Sequence, residues 1–96
     1  YLSAIVRKRA GSGNGESYTR KLLADGPARI AQKVGEESVE VVLAAVTRDA
    51  NGCAEELADL LYHLTVLMEA RGIAWTDVID VLKARHSAAI SSTAAS

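Results

Sequence analysis

Five carboxylates hold most of the chemistry this sequence can perform. Glu36, Glu37 and Glu40 fall in one short stretch, Glu36-Glu37-x-x-Glu40, and Glu56-x-x-Asp59 follows further along. At about 100° per residue on a helix, Glu36 and Glu40 stand about 40° apart, and Glu37 stands about 60° from Glu40 on the other side. The three share one face, with Val34, Val41, Val42 and Ala45 opposite. Glu56 and Asp59 are about 60° apart on their own helix, with His63 between them in angle. Acidic side chains at i,i+4 spacing repel one another, so such clusters point to a cation. Hard oxygen donors, with no cysteine and at most one histidine, suit Mg²⁺ or Mn²⁺ rather than Zn²⁺. Such an ion commonly takes phosphate oxygens as further ligands. The reaction expected is attack of water on a phosphoanhydride, with a spare carboxylate orienting or deprotonating the water. A di-iron carboxylate site would need Glu-x-x-His on two helices, and neither helix has a His three residues after a Glu. The competing reading is a solvated acidic face on a non-catalytic helical dimerisation module.

A helical hairpin would bring the two acidic groups together, and the patterning predicts one. Pro27 suits the first position of a helix after Asp25-Gly26, and that helix runs to about Arg48. Gly35 in its interior costs about 1 kcal/mol in propensity and is read as permitting the close approach of a neighbour or ligand. Asp49-Ala50-Asn51-Gly52 reads as the turn, with Asn51 as N-cap of a helix over 52–71 that ends at Gly72. With that turn, and ~1.5 Å of rise per residue, Glu40 comes level with Asp59 and Glu36 with His63. Leu57, Leu60, Leu61, Leu64, Leu67 and Met68 make one apolar side of the second helix; Tyr62, Val66 and Ala70 make another. A helix apolar on two sides is buried on two sides, either in its own bundle or against a partner subunit.

Shorter helices are predicted over 1–9, over 16–24 with Ser17 as N-cap, and over 74–86 around Trp75, Val78, Ile79 and Leu82. Gly11-Ser12-Gly13-Asn14-Gly15 reads as a linker; a P-loop would need a preceding strand and a Gly-Lys-Ser/Thr ending. Residues 87–96, rich in Ala and Ser, read as a frayed or disordered tail. No segment alternates as a strand does, and no internal repeat is present. The fold class expected is all-α: one domain over 1–86, a helical bundle built on a long antiparallel hairpin.

Composition narrows the function classes. The chain has 96 residues, 49% hydrophobic and 24% charged, with a net charge of −1. Neither nucleic acid nor an anionic membrane is expected as a partner of so neutral a chain. No apolar run approaches the ~18 residues of a membrane span. The single cysteine, Cys53, reads as a small buried or half-buried thiol in a reducing, cytoplasmic setting. A core of this size is marginal, so oligomerisation would help. The sequence begins at Tyr1, not Met, so residues preceding it are expected.

The residues also carry a resemblance. Lys33-Val34-Gly35-Glu36-Glu37-Ser38-Val39-Glu40, followed by Glu56-Leu57-Ala58-Asp59-Leu60-Leu61-Tyr62-His63, resembles phosphoribosyl-ATP pyrophosphohydrolase, a MazG-like all-α nucleotide pyrophosphohydrolase. Ser17-Tyr18-Thr19-x-Lys21-Leu22-Leu23, with Gly26 after it, and Asp77-Val78-x-x-Val81-Leu82-x-x-Arg85 are similar to the histidine-pathway branch. The resemblance covers about 1–86. It implies hydrolysis of 1-(5-phosphoribosyl)-ATP to 1-(5-phosphoribosyl)-AMP and pyrophosphate, the second step of L-histidine biosynthesis. It also implies Mg²⁺, with Mn²⁺ as an alternative, and a homodimer. In some bacteria this activity is fused to the cyclohydrolase that acts next; the length of this chain predicts a separate protein. The runner-up is a MazG-type housekeeping enzyme acting on ordinary or damaged nucleoside triphosphates. By position, the resemblance makes Glu37, Glu40, Glu56 and Asp59 metal ligands and places Glu36, Glu37 and Glu40 in the catalytic group. Glu36 is either a further ligand or the group that orients water. A polyphosphate substrate also needs cations. Lys33 is the first candidate, followed by Lys21, Arg29 and Arg20. His63 could touch substrate, tune the carboxylates or sit in the core. His86 is expected to act only as a charge at a helix end.

Overall fold

The computed structural model describes residues 13–95, and the predicted helix over 1–9 and the linker residues Gly11 and Ser12 lie outside them. The described residues form four helices and no strand: α1 (Gly13–Asp25), α2 (Pro27–Thr47), α3 (Ala50–Arg71) and α4 (Trp75–Ala95). The all-α expectation holds. α2 and α3 pack most extensively, and α1 packs against both.

Local chemistry sets the breaks. Gly26 adopts φ 94°, in the left-handed region, and Pro27 opens α2 with a φ already suited to a helix. Gly72, at φ 67°, ends α3 in a Schellman motif: Ile73 N–H donates to Met68 O and Gly72 N–H to Glu69 O. Asp77 caps α4, its Oδ2 accepting from Ala74 N–H at 2.8 Å. The core lies where α1, α2 and α3 meet. Leu22, Ile30 and Val66 are buried there, with Leu23, Tyr62, Leu67 and Ala70 packed around them. Val66 and Ala70, expected on a second apolar flank of α3, thus face this chain's own core.

Four local expectations change. α3 begins at Ala50, capped by Asp49, whose Oδ1 accepts from Gly52 N–H at 2.8 Å. Asn51, the expected cap, lies inside the helix. Both residue types cap well, and the earlier one leaves only Arg48 and Asp49 as the turn. α1 begins at Gly13, so Ser17 is interior to it and the expected linker 13–15 forms its first turn. Glycine costs least there, where the N–H groups lack intrahelical partners in any case. No other part of this chain approaches Gly35 closely: a Cβ there would meet nothing within 4 Å. Finally, the expected frayed tail is helical to Ala95; its alanines are the best helix formers.

Candidate active site

The short turn decides which carboxylates meet. Starting α3 two residues early moves it against α2 by just over half a turn, roughly 3 Å. The level partner of Asp59 therefore shifts from Glu40 towards Glu37. Among the described residues, Glu37, Glu56 and Asp59 come together, each with a carboxylate oxygen within 4.8 Å of the others. Glu37 and Glu56 are largely covered, their side chains 16% and 19% exposed, whereas Asp59 opens to solvent.

Glu36 and Glu40 are exposed and stand outside this trio. Glu36 turns along its own helix, pairing with Lys33 Nζ at 3.2 Å and accepting from Gln32 Nε2 at 3.3 Å. The hydrogen bond from Lys33 holds the Glu36 carboxyl below the usual carboxylate range and raises the Lys33 ammonium above the usual lysine range. Lys33 also lies 4.0 Å from Glu37 Oε1, and so bridges the trio to Glu36.

On its other side Lys33 faces a cleft of about 140 Å³, lined by Tyr18, Lys21, Leu22, Asp25, Arg29 and Lys33. Lys21, Arg29 and Lys33, expected separately as phosphate contacts, share this cleft. Arg20 does not line it. Tyr18 and Asp25 complete the lining and were missed in the sequence. The only sequence signal for Tyr18 was its place in Ser17-Tyr18-x-x-Lys21, three residues from a cleft lysine.

His63 is buried, 6% exposed, behind the cleft. Its Nδ1 lies 2.8 Å from the carbonyl oxygen of Asp59. A carbonyl only accepts, so Nδ1 carries a proton, and Nε2 shares a hydrogen bond with Tyr18 OH at 2.7 Å. Tyr18 also stacks on Tyr62, and Tyr62 shares a hydrogen bond with buried Thr19. Burial pushes the Tyr18 hydroxyl above the ordinary tyrosine value. Of the three roles open to His63, the structure supports a buried one: it ties the main chain of Asp59 to a residue of the cleft.

The donor set suits a divalent cation. The three carboxylates supply oxygen ligands only, on two packed helices, with partial solvent access for the waters or phosphate oxygens that Mg²⁺ and Mn²⁺ retain. The described part of the chain therefore places an acidic trio beside a basic cleft of phosphate size.

Comparison with known proteins identifies the family. The phosphoribosyl-ATP pyrophosphohydrolase family matches residues 2–86. The chain belongs to this family. Among its relatives, the phosphoribosyl-ATP pyrophosphatase of Pyrobaculum arsenaticum is 49% identical over 85 residues, covering 88% of this chain and 90% of that protein. The phosphoribosyl-ATP pyrophosphatase of Nitrobacter winogradskyi is 50% identical over 84 residues, covering 88% of this chain and 72% of that protein. The histidine biosynthesis bifunctional protein HisIE of Pasteurella multocida is 49% identical over 86 residues, covering 90% of this chain. This chain spans 43% of that bifunctional relative, so the family includes both short and longer proteins. The match runs through all five carboxylates, the cleft and His63. No helix among the described residues is long and apolar enough to cross a membrane.

Proposed function

We propose that the chain hydrolyses 1-(5-phosphoribosyl)-ATP to 1-(5-phosphoribosyl)-AMP and pyrophosphate, the second step of L-histidine biosynthesis, using a divalent cation at Glu37, Glu56 and Asp59. The observation that carries this reading is the meeting of those three carboxylates beside the cationic cleft, within the span of the family match. A bound Mg²⁺ or Mn²⁺ would neutralise phosphate charge and polarise the phosphorus centre. The protein's own groups do the rest. Lys33, Lys21 and Arg29 draw in the phosphates. In this reading Glu36 or Glu40, both exposed on α2, orients a water and takes its proton, and Glu40, three residues from Glu37 on one helix face, joins the ligand set once substrate is bound. The water oxygen bonds to phosphorus, the α–β anhydride P–O bond breaks, and pyrophosphate leaves with the electron pair.

A homodimer belongs to the same proposal. Val39, Val42 and Val46 form an exposed apolar row on α2, with Leu43 beside them, and Leu57 and Leu61 are exposed on α3. A second copy would cover these surfaces. A cytoplasmic setting is part of the proposal too, and the free thiol of half-buried Cys53 is in keeping with it.

The test is pyrophosphate release from phosphoribosyl-ATP and from a panel of nucleoside triphosphates, each with and without Mg²⁺. Phosphoribosyl-ATP should be turned over best, and chelation should stop the reaction. Better turnover of ordinary triphosphates would sink the substrate assignment, and full activity in chelator would sink the cation. Sedimentation of the full chain should give twice the monomer mass.

A further inference from the structure

The turn of the hairpin contains an arginine that reaches the acidic trio. Arg48 ends α2 in an extended conformation, φ −119° and ψ 164°, with its N–H held by Ala44 O. Its side chain crosses the first turn of α3. There Nη1 donates to Glu56 Oε1 at 3.0 Å and Nη2 to Glu55 Oε2 at 3.3 Å. Glu55 is a solvent-exposed partner, 74% open, while Glu56 is a largely covered member of the trio. The path is made possible by Gly52. A Cβ at that position would stand 2.5 Å from Arg48 Nε and 2.9 Å from Cζ, so any side chain there must push the guanidinium aside. Gly52 lies within α3 and its φ is not positive. The backbone therefore has no need of glycine, and alanine would be the better helix former. The space taken by Arg48 is what glycine leaves open.

We propose that Arg48 is a positioning residue for the cation site: lying over Gly52, it holds the Glu56 carboxylate from the hairpin turn. The inference rests on the reading of Glu37, Glu56 and Asp59 as cation ligands. Carboxylates packed this closely repel one another. A permanently charged guanidinium on the outer edge of Glu56 offsets that repulsion and limits the rotamers of Glu56, while each contact uses a single N–H on a single oxygen. Both ends of the link are anchored, Arg48 at the C-cap of α2 and Glu56 on the helix that Asp49 caps. Arg48 itself is 44% exposed, so what the link adds over a free surface ion pair, which holds little, is this anchoring and the covered Glu56 end. Groups that hydrogen-bond a ligating carboxylate typically govern metal affinity roughly 10–100-fold.

The experiment is calorimetric titration of Mn²⁺, and separately Mg²⁺, into the full chain without substrate, with far-UV circular dichroism to confirm folding. Arg48→Ala should raise the Kd about tenfold or more, and Arg48→Lys, which keeps the charge but loses the fork, should fall between it and the wild type. Gly52→Ala should weaken binding as Arg48→Ala does. In the Arg48→Ala background, Gly52→Ala should add little, because the guanidinium it displaces is already gone. Unchanged affinity in Arg48→Ala overturns the inference, and tighter affinity overturns it by making Arg48 a competitor of the cation. Additive losses from the two substitutions would also overturn it, since Gly52 would then act by another route. If the wild-type chain itself binds neither ion, the cation reading falls and takes this inference with it; binding by the wild type with no change in the variants removes this inference alone.

Discussion

The acidic trio and the basic cleft lie on either side of Lys33, yet they are built in opposite ways. The cleft rests on buried hydrogen bonds: Tyr18 to His63, His63 to the Asp59 carbonyl, Thr19 to Tyr62, all against the Leu22–Ile30–Val66 core. The trio has no such backing. Its carboxylates are largely covered at Glu37 and Glu56 and exposed at Asp59, they repel one another, and the contact to Glu56 comes from the hairpin turn. One side is ordered by the fold, and on the other three like charges face one another across the hairpin. The difference implies that substitutions in the trio should remove function and leave stability, whereas those behind the cleft should touch both.

The largest expected effect tests that division directly. Glu37→Ala or Asp59→Ala should lower turnover by more than the roughly 100-fold seen for groups that only support a ligand. The melting temperature in chelator should hold or rise as repulsion is relieved. Unfolding of these variants would make the trio structural and erase the contrast. Next comes Lys33→Met at the boundary. Loss of a charge-assisted contact to phosphate is worth about 1.5–3 kcal/mol, and kcat/KM should fall accordingly, chiefly through KM. A fall confined to kcat would instead place Lys33 at the reacting phosphorus.

Tyr18→Phe sharpens the other side. It leaves Nε2 of buried His63 without its hydrogen-bond partner, at a cost of about 1–3 kcal/mol, so thermal stability and KM should shift together. An unchanged melting temperature would mean that the Tyr18–His63 bond carries no load. The smallest effect is on pH. Tyr18, through burial, and Lys33, through its hydrogen bond to Glu36, both hold their protons more tightly in the folded chain. A raised folded pKa gives stability that is complete below the unfolded value and lost as pH climbs through the folded one. The melting temperature should therefore decline above about pH 10, and less steeply in Tyr18→Phe. A decline just as steep in that variant would show that other groups govern it.

Much of this was legible residue by residue. Pro27 and Gly72 mark helix ends through backbone geometry that only local residues control, and the structure keeps both. The all-α class followed from helical spacing with no alternation. The Glu-Glu-x-x-Glu and Glu-x-x-Asp spacings, with their lead-in residues, were enough to name the family. What failed was of another kind. Asp49 and Asn51 are equally good caps, so composition could not choose the start of α3, and an error of two residues there shifts the expected register of the two acidic groups by roughly 3 Å. Gly35 carried a propensity cost that suggested a close neighbour or ligand, while the glycine against which another part of this chain packs is Gly52.

The sequence by itself determined which residues could form helices, where most of them stop, and what chemistry five carboxylates and a set of cations can do. Those properties depend on residue type and on spacing within one turn. Tertiary structure alone decided that Glu37 meets Glu56 and Asp59, that Tyr18 joins His63, and that Arg48 lies over Gly52. Each of these is a contact across elements. Its register is set by the length of a two-residue turn and the packing of α1 on the hairpin, which no spacing within a single helix can encode.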